Sequence, residues 1–201
     1  MKQGFLLYSL ILLFLAGGFT QQPAPTWTTD ELKAANTGLG SKYLEPEEKE
    51  ALKYINLARL YPKKFVLVEV QKYYGPVGYG DYLKGSPYRK SLISDLNKMK
   101  PVKALLPDST LTKTAECLGK EQEKSGKVGH ERSKKCKSDY YAECCAYGML
   151  NGKDAAMQLL VDHGVPSLGH RKACLNGDYT KAGLSYNKHK TEETVMVVDL
   201  K

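Results

Sequence analysis

Apolar residues recur every three or four positions up to about residue 125, a spacing that predicts amphipathic helices. In one segment Leu52, Ile55 and Arg59 fall on a single stripe. The predicted helices cover residues 30–35, 46–61, 62–74, 88–100 and 109–125. Residues 75–87 are rich in glycine, tyrosine and proline and predict a loop, whose tyrosines either pack over the core or line a ligand groove.

In the last third of the chain the spacing of the side chains changes, and residues alternate between two faces as they do in a strand. Residues 140–147 predict a strand with Glu143 and Cys145 on one face and Cys144 on the other. Ser167 is positioned to cap a short helical turn. The other predicted elements are a helix over 154–162, that helical turn over 167–174, and a hairpin of strands over 182–186 and 194–200. Helices followed by strands are typical of an α+β fold.

The first 20 residues have the pattern of a secretory signal peptide. Lys2 precedes an uncharged apolar run over 5–16, which ends at Gly17 and Gly18. A membrane anchor is the alternative, but this run is shorter than the roughly 20 residues that span a bilayer. We therefore expect a secreted, extracellular protein with no membrane span. Its expected parts are a signal peptide over 1–20, a linker and short helix over 21–44, and one domain over 45–201.

The chain is basic, with 30 lysines and arginines, 22 acidic residues and a formal net charge of +8. Loss of Lys2 with the signal peptide lowers that charge from +8 to +7. A surface of solvated lysines explains the positive net charge. The alternative is that the positive charge attracts an anionic lipid or a nucleic acid. Because the sequence has no basic and aromatic repeat, zinc-finger spacing or arginine-rich helix, we expect no nucleic-acid partner.

All five cysteines lie in the C-terminal half of the chain. An exported protein meets an oxidising environment, so at least one intramolecular disulfide is expected, and the odd count leaves at least one thiol free. Any four cysteines admit three pairings, and the sequence leaves the connectivity open. Cys144 and Cys145 are not expected to pair with each other, because adjacent strand residues point to opposite faces.

Candidate chemistry is concentrated between residues 128 and 179. His130 and His170 each follow a glycine, and only tertiary structure can bring them together. Glu143 lies in the predicted strand between them, and Asp162 lies near the end of a predicted helix. Imidazole and carboxylate groups bind divalent metals or transfer protons. The structural alternative is that these four side chains only satisfy one another in the core.

Several segments carry a resemblance to a known family. They are EALKYINLARLYP from Glu50, LTKTAECLGKEQEKSGKVGH from Leu111, AECCAYG from Ala142 and GVPSLGHRKACLNGDYTKAGLSY from Gly164. From Glu47 to Leu200 the chain resembles the CAP superfamily: cysteine-rich secretory, antigen-five and pathogenesis-related group one proteins, and secreted bacterial SCP-like relatives. The resemblance implies a three-layer α-β-α sandwich with a small central antiparallel sheet and a cleft of two histidines and two acids.

The resemblance also implies roles for particular residues. His130 and His170 match the family's cleft histidines, and Glu143 matches its strand glutamate. Asp162 stands where the family commonly has a glutamate, and Cys144 stands where an asparagine often follows the strand glutamate. The implied function is a secreted binding module. We expect its cleft to hold a divalent metal such as Zn²⁺, and we expect its ligand to be a lipid, a sterol or an extracellular macromolecule.

The alternative function is a metal-assisted hydrolase, in which Glu143 acts as a base on metal-bound water. The sequence has no HExxH helix. Ser167, three residues before His170, is better explained as a helix cap than as a nucleophile paired with that histidine. His163 could substitute as a ligand, and His189 in the polar turn is expected to be solvated. The sequence leaves the ligand's identity and the oligomeric state open.

Overall fold

The computed structural model describes residues 24–136 and 140–201, so the predicted signal peptide over 1–20 lies outside the described residues. The described chain forms seven α-helices and four β-strands. The helices are α1 (Thr29–Ala35), α2 (Pro46–Leu60), α3 (Pro62–Val68), α4 (Pro87–Lys98), α5 (Ser109–Ser125), α6 (Gly152–Val161) and α7 (Gly169–Leu175). The strands are β1 (Leu106–Pro107), β2 (Ala142–Tyr147), β3 (Lys181–His189) and β4 (Glu193–Leu200).

The strands form one sheet in the order β1-β3-β4-β2. β3 and β4 are the predicted antiparallel hairpin, and β2 pairs antiparallel with the other side of β4. β1 runs parallel to β3, and its two residues are too few to show an alternating pattern in the sequence. The α+β fold is therefore confirmed, and the sheet is mixed rather than wholly antiparallel.

Helices cover both faces of this sheet. Cys144 and Leu184 belong to the larger core, which also contains residues of α2 and α6. Cys145 and Val197 point to the opposite face, where they pack with Leu118 of α5. The alternation along the strands thus sorts apolar side chains into two layers of core, as the three-layer arrangement requires. None of the helices in the described part of the chain is long and apolar enough to cross a membrane.

Two buried arginines fix helix ends near the site. Arg59 is fully buried and donates hydrogen bonds to backbone carbonyls at the C-terminal end of α7. Arg171 donates to the last carbonyls of α6. A guanidinium satisfies both the unpaired carbonyls and the partial negative charge of a helix C-terminus. These contacts hold α7, which carries His170, against the rest of the core.

Gly183 of β3 allows α5 to lie directly on the sheet. A Cβ atom at this position would come within 2.0 Å of the carbonyl carbon of Leu111 and 2.1 Å of the amide nitrogen of Thr112. Both atoms belong to the helix backbone, so they can move only if α5 moves. The C-terminal end of α5 leads into the segment 126–136, which carries His130.

Gly183→Ala should therefore lower the free energy of unfolding by roughly 3 kcal/mol, the upper part of the usual range for overpacking. Gly40→Ala is the matched control, because a Cβ there would meet nothing within 4 Å and should change stability by less than about 0.5 kcal/mol. Urea denaturation followed by circular dichroism measures both. Equal stability of the two variants would contradict the packing of α5 on β3.

Candidate functional site

A cleft of about 450 Å³ opens where the segment after α5, strand β2 and the α6–α7 connection meet. β2 is an edge strand of the sheet, so the cleft lies at one side of the central layer. Its lining includes His130, Cys145, Gln158, Asp162, His163 and His170. Three of the four predicted site residues are in this set, and the fourth, Glu143, lies against His130.

Asp162 orients His170. Its Oδ1 atom lies 2.8 Å from Nδ1 of the His170 ring, and its Oδ2 atom accepts the backbone N–H groups of His170 and Arg171 at 3.0 and 3.2 Å. The carboxylate thus caps the first turn of α7 and holds the His170 side chain of that turn. Because Nδ1 faces an acceptor, the His170 ring carries a hydrogen there and leaves Nε2 for another partner.

The predicted capping role of Ser167 is wrong. The residue that precedes α7 is Leu168, which has a left-handed backbone (φ 53°) and a side chain that cannot cap. Asp162 performs the capping from the end of α6 instead, with its own backbone in the left-handed region at φ 54°. Sequence reasoning missed this because the cap belongs to the preceding helix and not to the residues next to α7.

Glu143 holds His130 in a similar way. Nδ1 of His130 lies 2.8 Å from Oε1 of Glu143, whose side chain is almost fully buried. This hydrogen bond raises the pKa of His130 above its ordinary value. Burial alone would raise the pKa of Glu143, but the hydrogen bond from His130 and the charge of Arg132 outweigh it, so the pKa is lowered. The His130 side chain itself is 52% exposed.

Arg132 fixes the other oxygen of Glu143. Its Nε atom donates to Oε2 at 2.7 Å, and its Nη2 atom contacts both oxygens of Asp199 at 3.0 Å. Nη1 donates to the carbonyls of Thr114 and Cys136. Burial raises the pKa of Asp199 to about 7, against the opposing effects of Thr114 and Arg132. The network joins α5, β2, β4 and the segment 126–136 behind the cleft.

The backbone next to His130 is also fixed. Gly129 has a φ of 103°, and its N–H donates to the Tyr147 hydroxyl at 2.8 Å. Its carbonyl accepts a hydrogen bond from Gln122 at 2.7 Å. The prediction that His189 is solvated is wrong, because this side chain is buried and its Nε2 donates to the carbonyl of Lys127 at 3.1 Å. His189 therefore holds the same segment as Tyr147 does.

The two histidine–carboxylate pairs of the predicted site meet in the cleft. The ring centroids of His130 and His170 are 6.1 Å apart, with their planes tilted by 38°. His163 also lines the cleft, but its Nδ1 lies 3.0 Å from the Ser86 hydroxyl and its ring contacts the edges of Tyr82 and Tyr88. The fold thus brings both predicted histidines together, each with its own carboxylate, and places His163 against the loop over 75–87.

Cys145 is a candidate ligand that sequence reasoning missed. Its Sγ lies 3.9 Å from Nδ1 of His130, and it shares a face of β2 with Glu143. Ligand atoms of His130, Glu143 and Cys145 all lie within 4.8 Å of one another, so this group could hold a metal ion. The signal available in the sequence was the strand alternation itself, which places Cys145 two residues after the glutamate.

The five cysteines form one disulfide and leave three thiols free, in agreement with the prediction. Cys117 of α5 and Cys136 form a disulfide across a sequence separation of 19, and the other three thiols are free and buried. The predictions of at least one disulfide, at least one free thiol and no bond between Cys144 and Cys145 are confirmed. The disulfide closes the segment 126–136 onto α5, so it also constrains His130 and Arg132.

Replacing both Cys117 and Cys136 with serine should lower the free energy of unfolding by about 3 kcal/mol, because a loop of this length gains that much freedom in the unfolded chain. Thermal unfolding of this variant, with the wild type under non-reducing conditions as the reference, measures the loss. Non-reducing peptide mapping of the wild type should recover Cys117 joined to Cys136. A map that joins either of them to Cys144 or Cys145 would contradict the fold of this segment.

Comparisons with protein-family models, with curated proteins and with solved structures found no match to this chain. The resemblance to the CAP superfamily therefore remains a prediction from the sequence.

Proposed function

We propose that the protein is a secreted, CAP-type binding module whose cleft binds a divalent metal through His130 and His170. The observation that carries this proposal is that each histidine has its Nδ1 atom on a buried carboxylate. Metal-binding histidines commonly donate their second ring N–H to a carboxylate, which fixes the tautomer and the ring orientation. In this arrangement Nε2 of each ring is the atom available to an ion.

The separation of the rings supports a shared ion. Zinc binds imidazole nitrogen at about 2.0 to 2.1 Å in tetrahedral geometry, which places two ring centroids about 5 Å apart. The rings of His130 and His170 are 6.1 Å apart, so a small rotation of the exposed His130 ring closes the difference. Neutral imidazoles suit zinc and similar borderline metals.

Binding is favoured over hydrolysis because both cleft carboxylates are already engaged. Oε1 of Glu143 faces His130, Oε2 faces Arg132, and the pKa of this carboxyl is lowered. A general base works best with a pKa near the working pH and with an oxygen free to take a proton. Asp162 is equally committed to His170 and to the cap of α7. Within the described residues no serine hydrogen-bonds to either histidine of the pair.

The exposure of the histidines argues against a purely structural role. The His130 side chain is half exposed, the His170 side chain is partly exposed, and both line the cleft. The proposed second ligand, a lipid or an extracellular macromolecule, rests on the resemblance to the CAP superfamily. The net charge, +8 for the full chain and +7 without the signal peptide, also supports an anionic ligand, because a basic protein attracts anionic surfaces.

Replacing His130 and His170 together with alanine should abolish stoichiometric zinc binding, measured by equilibrium dialysis with metal analysis, while far-UV circular dichroism stays native. His163→Ala is the matched control, because this histidine lines the same cleft but is bonded to Ser86, and it should bind zinc as the wild type does. Wild-type affinity in the double variant would refute the site. Loss of folding would favour the structural alternative.

Zinc affinity should fall as the pH falls. The hydrogen bond to Glu143 raises the pKa of His130, so a proton competes for this ring already above the ordinary histidine value of about 6.5. Zinc affinity should be at its maximum above the raised pKa of His130 and should fall as the pH drops through that pKa. Isothermal titration calorimetry at several pH values measures the dependence, and an affinity that is constant between pH 8 and pH 5 would contradict it.

Glu143→Gln separates binding from hydrolysis. The amide cannot act as a base, but it can still face the His130 ring, so zinc affinity should fall by about 10-fold to 100-fold, as for other residues that orient a ligand. Neither the wild type nor the variant should turn over ester or peptide substrates in the presence of zinc. Turnover by the wild type that Glu143→Gln abolishes would establish the hydrolase instead.

A further inference from the structure

We infer that the cleft contains a second metal position, formed by Cys145 Sγ, His130 Nδ1 and Glu143 Oε1, which takes thiophilic divalent ions such as Cd²⁺. This inference goes beyond the proposed function, because it uses the opposite nitrogen of the His130 ring and does not need His170. A neutral imidazole offers one lone pair at a time, so His130 serves one of the two positions at once.

The three ligand atoms already have nearly the right spacing. Nδ1 lies 2.8 Å from Oε1 and 3.9 Å from Sγ, and all three atoms are within 4.8 Å of one another. Bond lengths of about 2.0 Å to nitrogen and oxygen and 2.3 Å to sulfur set ligand separations of about 3.3 to 3.6 Å around a tetrahedral zinc ion. Small movements of the exposed His130 ring bring the first two distances into this range.

Each ligand sits on a fixed support. Cys145 lies in β2 and is paired with Val197 of β4, so its backbone belongs to the sheet. Arg132 holds Oε2 of Glu143 and leaves Oε1 directed at His130. The backbone before His130 is bonded to Tyr147 and Gln122. A site whose ligands are held by surrounding contacts requires little rearrangement to bind an ion.

The charges of the three groups suit a divalent soft ion. One thiolate and one carboxylate neutralise its two positive charges, which matters because Cys145 and Glu143 are largely buried. Thiolate ligands select zinc and softer metals such as cadmium, whereas magnesium and calcium prefer oxygen ligands alone. Three protein ligands also leave a fourth position, which water or an added ligand can occupy.

Binding at this position has a simple proton balance. Without an ion, a hydrogen joins His130 Nδ1 to Glu143 Oε1. When the ion binds, the neutral ring carries its hydrogen on Nε2, Nδ1 gives its lone pair to the ion, and the thiol proton of Cys145 passes to solvent. The ion replaces the hydrogen that joins the two side chains.

Cys144 provides the matched control for Cys145. It is the next residue in β2 and is also a free, buried thiol. Its side chain points to the opposite face of the sheet, into the larger core that also contains Cys174. Replacing either cysteine with serine makes the same chemical change in the same strand, but only one of the two variants alters the cleft.

The test is a titration of the purified protein with Cd²⁺, followed by the ultraviolet charge-transfer band that cadmium–thiolate bonds give. The wild type should saturate at one Cd²⁺ per chain. Cys145→Ser should lose the band and at least about 10-fold in affinity. Cys144→Ser and His170→Ala should keep both. The inference is overturned if the band survives in Cys145→Ser or disappears in Cys144→Ser.

A second measurement covers the case in which Cys145→Ser does not fold. The ¹¹³Cd NMR shift of the loaded wild type should lie in the range of sulfur-bound cadmium, and a shift typical of oxygen and nitrogen ligands alone would reject the position. The two proposals fail separately. Zinc affinity that is the same in Cys145→Ser and in the double variant Cys145→Ser/His170→Ala contradicts the ion shared by two histidines, whereas the fate of the thiolate band in Cys145→Ser decides the second position.

Discussion

The candidate site depends most on the buried guanidinium of Arg132. It contacts the carboxylates of Glu143 and Asp199 and backbone carbonyls of α5 and of the disulfide-bonded segment. One side chain thus joins two strands, a helix and the segment that carries His130. Removing one partner of such a buried charge typically costs about 3 to 5 kcal/mol, since the other charges are left uncompensated. The same contact decides the chemistry, because it leaves Glu143 a single oxygen to share with His130.

On the other side of the cleft, the carboxylate of Asp162 fixes the ring of His170, as Glu143 fixes the ring of His130. Asp162 ends α6, caps α7 and holds the ring of His170, so its carboxylate is bonded to backbone and side chain together. Both histidines are therefore oriented by acids that have little capacity left for proton transfer. This is the reason for proposing metal binding rather than hydrolysis. Cys145, whose thiol lies beside His130 and is not in a disulfide, enters only the second proposed metal position.

Local sequence patterns predicted most of the fold, because apolar residues on the buried face of a helix or strand recur with the period of that element. They also placed Glu143 and Cys145 on one face of β2, as the register confirms. The errors came from contacts between distant residues. Ser167 looks like a cap, but Asp162 of the preceding helix supplies the acceptor. His189 lies next to a polar turn, yet the segment after α5 covers it. The disulfide pairing likewise depends on how that segment returns to α5, which spacing alone does not determine.

X-ray absorption at the zinc edge tests most directly whether the cleft is a metal site. Purified protein loaded with one equivalent of zinc should show nitrogen in the first coordination shell and, beyond it, the scattering of the outer ring atoms of bound imidazole. Zinc bound at the Cys145 position would add one sulfur at about 2.3 Å, and zinc bound between His130 and His170 would show nitrogen and oxygen alone at about 2.0 to 2.1 Å. A shell of oxygen atoms without imidazole, as around a hydrated ion, would contradict the account of the cleft given by both proposals.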